Sequence, residues 1–266
     1  MTTEPAGDAG LVFRNPTVQR LRRLVREPGA RRANRAFVVE GEKLVSVALE
    51  AGARLEGVYV ATGWEGPVLD RARTAGVDVV RLAPGVLERV VDASTPQPVL
   101  AVARAVDTEL EALRGSTLMV VCVDVRDPGN LGTVLRSAEA CGAGGVICCD
   151  GTADVTGPKC VRASAGALFH LRVVAGGAAV EVLEKLGSWK MHRLGTRARG
   201  GIAYDQVDLR APTAVVVGNE AHGFPPALDP LLEALVTVPI DGRAESLNVG
   251  VAASVICFEA ARQRRS

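Results

Sequence analysis

The sequence of 266 residues has only three histidines, and no two of its six cysteines are spaced as CxxC. Metal sites need clustered Cys and His ligands, so this spacing argues against a bound metal. No apolar run has the length of a membrane span, and the polar first ten residues lack the apolar segment of a secretory signal. We therefore expect a cytoplasmic protein with reduced thiols, no metal and no membrane contact.

Glycine motifs that bind nucleotide phosphates are also missing. No GxGxxG follows the apolar run 118–123, and the chain contains no GxxxxGK[ST]. These absences argue against a dinucleotide-dependent oxidoreductase and against a P-loop ATPase. The nucleophile motif GxSxG is absent as well, and no histidine has an evident nucleophile partner.

The net charge of +1 is unevenly distributed along the chain. Residues 14–35 contain eight arginines and a single acid, Glu27. Such a cluster can bind phosphates even when the whole protein is nearly neutral, although a solvated helix face would have the same composition.

The order of the elements indicates two domains. Residues 15–106 alternate strands with helices, starting with a helix at 15–26 that Asn15 caps, and predict a small α/β domain over 1–106. The polar segment 107–116 has no strand pattern, and we interpret it as a linker. Residues 117–266 begin with the continuous apolar run 118–123, which is typical of a strand buried on both faces and so of a parallel sheet.

The remaining elements of the second domain follow from the same reading. Strands are predicted at 145–149, 171–174, 190–195, 213–217 and 235–240. A final helix is predicted from Ser246 to about Arg262, because Leu247, Val251, Val255 and Phe258 recur at helical spacing.

Two loops of the second domain combine Gly or Asn with a charged side chain at the end of a strand. In the first, we expect Asn130 to begin a helix that carries Arg136. In the second, Gly218 would let the backbone approach a ligand closely, and Glu220 follows it. Capping would by itself explain Asn130 and Glu220, and Arg136 could be an ordinary surface residue.

A third loop leads into the final helix. Ser246 is its expected N-cap, Leu247 could form a pocket wall, and Asn248 presents an amide at the helix start. Ligands of open α/β sheets bind at the carboxyl ends of the strands, so the three loops predict one small-molecule site.

In this order, the three loops resemble the motifs of the SpoU/TrmH branch of the SPOUT methyltransferases. The matching residues are Asn130, Gly132, Arg136, Gly218, Glu220, Gly223, Pro239, Ser246, Leu247, Asn248 and Val249. The similarity covers residues 117–264, and 162–167 also look like a family segment. Upstream, Asn15-Pro16 and residues 37–41 resemble the amino-terminal RNA-binding domain of the ribosomal RNA members, which is similar to ribosomal protein L30e.

The resemblance implies an α/β fold in which the parallel-sheet SPOUT domain contains a deep trefoil knot, preceded by a smaller L30e-like domain. Periodicity alone would not suggest a knot. It also implies a homodimer and S-adenosylmethionine as cofactor, with a donor pocket formed by Thr196, Gly218, Val238, Ile240 and Leu247.

The resemblance further implies a reaction: methyl transfer from S-adenosylmethionine to a ribose 2′-hydroxyl of RNA. The catalytic residues would be Arg136, Asn130, Glu220, Ser246 and Asn248, and the RNA-binding residues Arg14, Arg22, Arg31, Arg35, Arg162 and Ser164. The extra amino-terminal domain favours 23S ribosomal RNA over transfer RNA. A non-catalytic RNA-binding protein of the same fold is the alternative from another class.

Overall fold

The computed structural model describes residues 10–91 and 95–265. The strands are β1 (Ala36–Glu40), β2 (Leu55–Ala61), β3 (Val79–Leu82), β4 (Val99–Arg104), β5 (Leu118–Cys122), β6 (Gly145–Cys148), β7 (Val173–Ala175), β8 (His192–Thr196), β9 (Ile202–Ala203), β10 (Thr213–Val217) and β11 (Ala234–Thr237). The α-helices are α1 (Pro16–Arg26), α2 (Pro28–Asn34), α3 (Glu42–Glu50), α4 (Pro67–Thr74), α5 (Val86–Val91), α6 (Pro128–Ala140), α7 (Pro158–Ala163), α8 (Ala179–Ser188) and α9 (Val249–Arg265).

The chain forms two compact units. The first takes in the chain up to Ala105 together with residues 156–158, and the second takes in Val106–Val155 and Lys159–Ser266. Among the described residues, no helix combines the length and apolar character that crossing a membrane requires.

The first unit is built on a four-stranded sheet in the order β1-β4-β2-β3. Strand β4 is antiparallel to both its neighbours, whereas β2 and β3 are parallel. Helix α1 begins as predicted, because the Asn15 side chain accepts a hydrogen bond from the Thr17 N–H over 2.9 Å. Its residues Val18, Leu21 and Leu24 pack into the core of this unit.

The second unit contains a seven-stranded parallel sheet in the order β7-β6-β5-β10-β8-β11-β9. This confirms the parallel sheet predicted from the apolar runs. The central strands β5 and β10 are fully buried. Because β10 lies between β5 and β8, loops far apart in the chain meet at one carboxyl edge. The trefoil knot stays a prediction of the resemblance.

The segment 107–116, which was predicted as a linker, belongs to the second unit and contains a short helix. Residues Leu110–Leu113 form a 3-10 helix, and Leu113 is fully buried in the core of the second unit together with Met119 and Ile147. In the sequence this helix is marked only by Leu110 and Leu113, and two leucines three positions apart are too few to predict a helix.

Candidate active site

The loop after β5 begins helix α6 earlier than the sequence suggested. The N-cap is Asp127, whose side chain accepts a hydrogen bond from the Asn130 N–H over 2.8 Å, and Pro128 is the first helical residue. The Lys159 ammonium lies 2.7 Å from Asp127, and its hydrogen bond lowers the pKa of that carboxyl. Asn130 therefore lies in the first turn of the helix, where its side chain can make tertiary contacts.

Gly132, one turn further along α6, has a packing role. A Cβ atom at this position would lie 2.4 Å from the Cβ of Ala163 and 3.0 Å from the carbonyl oxygen of Cys160. Helix α7 thus crosses α6 at a distance that only glycine permits.

The loop after β10 folds back on itself, which gives Gly218 a structural role besides the predicted one at the ligand site. A Cβ on Gly218 would lie 2.7 Å from the carbonyl carbon of Gly223, so glycine is needed for the turn itself. The Asn219 side chain stabilises this turn by accepting hydrogen bonds from the Ala221 and His222 N–H groups. Its amide also donates to the Asp124 carbonyl over 3.0 Å, which ties the turn to the end of β5.

Helix α9, which follows the third loop, is capped by Asn248 and not by Ser246, which corrects the prediction. The Asn248 Oδ1 atom accepts hydrogen bonds from the Gly250 and Val251 N–H groups over 2.9 and 3.3 Å. Helix α9 therefore starts at Val249, and Ser246 is exposed in the loop before it. Both serine and asparagine are good N-caps, so the sequence could not choose between them.

The three loops are joined by a chain of side-chain hydrogen bonds. The Asn130 amide donates to the Glu220 carboxylate over 2.9 Å, and the Asn130 oxygen accepts from the Asn248 amide over 2.7 Å. A carboxylate can only accept, so Glu220 sets the orientation of the Asn130 amide, which in turn orients Asn248 toward the start of α9.

Glu220 is the centre of this network. Besides Asn130, the backbone N–H groups of Arg126 and Asp127 donate to its two oxygens, each over 3.2 Å. Burial alone would raise the pKa of Glu220, but these three hydrogen bonds outweigh it and lower the pKa. The carboxylate is therefore charged at neutral pH and holds the first loop against the second.

A cavity of about 660 Å³ lies among these loops at the carboxyl edge of the sheet. All five predicted donor-pocket residues line it: Thr196, Gly218, Val238, Ile240 and Leu247. Four of the predicted catalytic residues line it as well: Asn130, Glu220, Ser246 and Asn248. The sequence analysis missed the lining residues Arg197, Asn219, His222, Phe224 and Glu245. Arg197 follows Thr196 and Glu245 precedes Ser246, so their positions next to predicted site residues could have identified both.

Arg136 does not line this cavity. It lies on α6 six residues after Asn130, which corresponds to about 9 Å along the helix axis and a different face of the helix. The side chain is exposed and makes no hydrogen bond or ion pair with residues in the described ranges. Arg136 therefore lies outside the cavity of its own chain, and its catalytic role stays a prediction.

The predicted RNA-binding residues are not all at the surface. Arg14, Arg35 and Arg162 are exposed, and Arg22 is partly exposed. Arg31, in contrast, is only 5% exposed, and its guanidinium donates to the carbonyl oxygens of Leu24 and Val25 at the end of α1. It lies on α2, a helix that the sequence analysis missed, and serves the fold of the first unit.

Ser164 is likewise buried, with 1% of its surface exposed, and its hydroxyl donates to the Val161 carbonyl. We therefore withdraw Arg31 and Ser164 as RNA contacts. Among the described residues there is also no group of three or more His, Cys, Asp or Glu side chains that could hold a metal ion.

A ligand cavity at the carboxyl edge of a parallel sheet, bounded by polar loops and without a phosphate-binding glycine motif, defines an α/β enzyme with a small-molecule cosubstrate. Residues 117–258 match the model of the SpoU rRNA Methylase family, and residues 15–101 match the MRM3-like substrate binding domain. The chain belongs to the SpoU rRNA methylase family.

Several relatives are similar along most of their length. The 23S rRNA (guanosine(2553)-2′-O)-methyltransferase RlmP of Bacillus subtilis is 33% identical over 223 residues, which cover 84% of this chain and 87% of the relative. The crystal structure of the SpoU methyltransferase AviRb from Streptomyces viridochromogenes with AdoMet has a TM-score of 0.87 and 31% identity, and the match covers 95% of this chain and 99% of that one. An AdoMet-bound rRNA methyltransferase from Sinorhizobium meliloti has a TM-score of 0.80 and 29% identity over 96% of this chain and 98% of its own.

Proposed function

We propose that this protein transfers the methyl group of S-adenosylmethionine to a ribose 2′-hydroxyl of ribosomal RNA, with 23S RNA as the expected target. The observation that carries the proposal is the cavity bounded by Asn130, Glu220 and Asn248, in a chain similar along its length to 23S rRNA 2′-O-methyltransferases. Such a reaction takes place where ribosomes are assembled, in the cytoplasm.

The cavity suits this donor. Val238, Ile240 and Leu247 supply an apolar wall, as an adenosine and a thioether chain require. The volume of about 660 Å³ lies within the usual range of small-molecule sites.

When it is bound, S-adenosylmethionine supplies an electrophilic methyl group on a sulfonium. The protein has to orient the attacking hydroxyl and stabilise the negative charge that develops on its oxygen. A guanidinium stays protonated in proteins, so Arg136 acts as a cation that binds this oxygen and the neighbouring phosphate. Asn130, Glu220 and Asn248 hold the loops of the cavity, and the exposed hydroxyl of Ser246 is available to the RNA backbone.

The position of Arg136 leads us to propose a homodimer whose active sites are shared. Val251 and Phe258 lie seven residues apart on α9 and so form an apolar stripe on one side of it, each with 45% of its surface exposed. The buried side of α9 is formed by other residues, such as Ala253 and Ile256, so the stripe is left for a second copy of the chain.

Helix α6 packs along α9, and the Ser137 and Ser254 hydroxyls lie 2.6 Å apart between them. Arg136 is adjacent to Ser137 on α6. A dimer that pairs through α9 would therefore bring the Arg136 of each subunit close to the other subunit. In this proposal, the partner subunit's Arg136 completes the cavity.

The RNA would also contact the first unit, in which Arg14, Arg22 and Arg35 are accessible, and Arg162 in the second. Exposed guanidinium groups bind phosphates without reading sequence, so these residues would determine affinity and not the choice of nucleotide.

The test is an assay of methyl transfer from labelled S-adenosylmethionine to 23S ribosomal RNA and to transfer RNA, followed by mapping of the 2′-O-methyl group. We expect incorporation into 23S RNA that Arg136→Ala abolishes, whereas Arg114→Ala, at an exposed arginine of the same unit, keeps normal activity. Incorporation into transfer RNA only would favour a transfer RNA methyltransferase. Donor binding without any transfer would favour a non-catalytic RNA-binding protein.

Mixing two inactive variants tests the shared site. Subunits with Arg136→Ala and subunits with Asn248→Ala should regain about a quarter of wild-type activity after exchange, because half of the dimers are mixed and each has one intact site. If Arg136 acts within its own chain, no mixed dimer contains an intact site and no activity returns.

A further inference from the structure

Two charged residues that line the donor cavity have no ionic partner among the described residues. Arg197 and Glu245 both line it, and neither side chain makes a hydrogen bond or ion pair with any residue in the described part of the chain. They also do not pair with each other. By contrast, the third ionised group of the lining, Glu220, is held by three donors.

Both residues are attached to well-anchored backbone. The Arg197 N–H donates to the Val236 carbonyl over 2.9 Å, and the Thr237 hydroxyl donates to the carbonyl of Ala198 over 3.1 Å, so the chain leaving β8 is fixed to β11. Glu245 lies three residues before Asn248, whose side chain is bonded at both ends. Arg197 and Glu245 therefore belong to two different loops that both line the cavity.

A free cation and a free anion in one cavity match a ligand that carries both charges. We propose that Arg197 binds the α-carboxylate, and Glu245 the α-ammonium group, of the amino-acid end of the methyl donor. The proposal rests on the function proposed above and assigns the residues that select an intact donor over adenosyl fragments. Guanidinium and carboxylate are well matched in geometry, and such charge-assisted hydrogen bonds are the stronger ones in proteins.

The alternative for Arg197 is a phosphate of the RNA, which would also attract an unpaired guanidinium. The two roles differ in what they affect. A donor contact changes binding of the donor in the absence of RNA, whereas a phosphate contact changes only the affinity for RNA.

The experiment is calorimetric titration of the full-length protein, without RNA, with three ligands. These are S-adenosylhomocysteine, its decarboxylated analogue and the analogue that lacks the α-ammonium group. We expect Arg197→Gln to weaken S-adenosylhomocysteine binding roughly 10-fold, the size of one charge-assisted hydrogen bond at a partly exposed site, and to leave the decarboxylated analogue unchanged. Glu245→Gln should likewise weaken S-adenosylhomocysteine binding and leave binding of the analogue without the ammonium group unchanged.

Matched controls are available in the same two loops. Arg199 and Asp241 are exposed and do not line the cavity, so Arg199→Gln and Asp241→Asn should bind all three ligands as the wild type does. Unchanged binding of the decarboxylated analogue also shows that the Arg197→Gln variant is folded.

Equal loss for all three ligands, or no loss for any, would overturn the proposal. So would a defect of Arg197→Gln that is confined to RNA affinity. A wild-type protein that binds none of the adenosyl ligands would instead contradict the proposed function itself, so the two failures can be told apart.

Discussion

The contact between Asn130 and Glu220 leads to a quantitative prediction. Replacing Asn130 by Asp keeps the size and shape of the side chain but exchanges the amide nitrogen, which donates to Glu220 over 2.9 Å, for a carboxylate oxygen. Two carboxylates would then face each other across the junction of the first and second loops.

The magnitude follows from this geometry. The lost hydrogen bond to a charged acceptor costs about 1.5 kcal/mol, the low end for such bonds because water reaches the site. Two charges about 4 Å apart repel each other by about 1 kcal/mol in bulk water and by about 4 kcal/mol at the effective dielectric constant typical of a protein surface, and the solvent exposure of Glu220 puts this pair near the lower value. We therefore expect Asn130→Asp to lower the free energy of unfolding of the second unit by about 3 kcal/mol at pH 7.

The pH dependence distinguishes repulsion from simple loss of a contact. In the wild type the pKa of Glu220 is lowered, so its stabilising contribution is present at neutral pH and is lost as the pH falls through that pKa. In the variant the repulsion raises the pKa values of the pair, so one carboxyl takes up a proton as the pH falls and can donate to the other. The difference in free energy of unfolding between the wild type and Asn130→Asp should therefore become smaller as the pH falls from 7 to 4.

The measurement is urea unfolding followed by tryptophan fluorescence. The chain has two tryptophans, and Trp189 packs against the core of the second unit. In a Trp64→Phe background the signal therefore reports on that unit alone. Asn130→Ala is the control, since it loses hydrogen bonds without adding charge. If Asn130→Asp lowers the free energy of unfolding by the same amount at pH 7 and at pH 4, the two carboxylates do not repel each other as proposed.

Four other substitutions test separate parts of the structure. Gly132→Ala gains about 1 kcal/mol of helix propensity but forces a Cβ to within 2.4 Å of its neighbour, so we expect net destabilisation of about 1–2 kcal/mol by thermal unfolding; greater stability would contradict the close crossing of α6 and α7. Phe258→Asp should convert the proposed dimer to a monomer in sedimentation velocity, and a wild type that is already monomeric would exclude the interface. Arg35→Glu should weaken RNA binding and reduce its salt dependence, whereas Arg31→Gln should lower stability instead; the reverse result would contradict the burial of Arg31.

Much of the fold could be predicted from the sequence because its signals are local. Continuous apolar runs such as 118–122 and 214–217 identify strands buried on both faces, and Asn15 followed by proline identifies the start of α1. Glycine, asparagine and charged residues at the strand ends predicted which loops carry the site. These patterns depend on residues within a few positions of each other, so they can be read without knowing the partners.

Other features depend on contacts between distant segments, and only the tertiary structure decided them. Asn248 caps α9 while its amide is held by Asn130, 118 residues away, and the Asn130 side chain is engaged by Glu220 and not in capping, so Asn130 and Ser246 were misread as N-caps. Arg31 belongs to the same group, since only the end of α1 explains its burial.

The site itself shows why both kinds of information are needed. The residue types of the loops were evident in the chain, but Asn130 bonds to Glu220 across 90 residues and to Asn248 across 118. Such contacts exist because β10 lies between β5 and β8 in the sheet, and strand order is set by the burial of whole elements. Side-chain chemistry was therefore determined by the sequence, and the pairing of those side chains by the packing of the sheet.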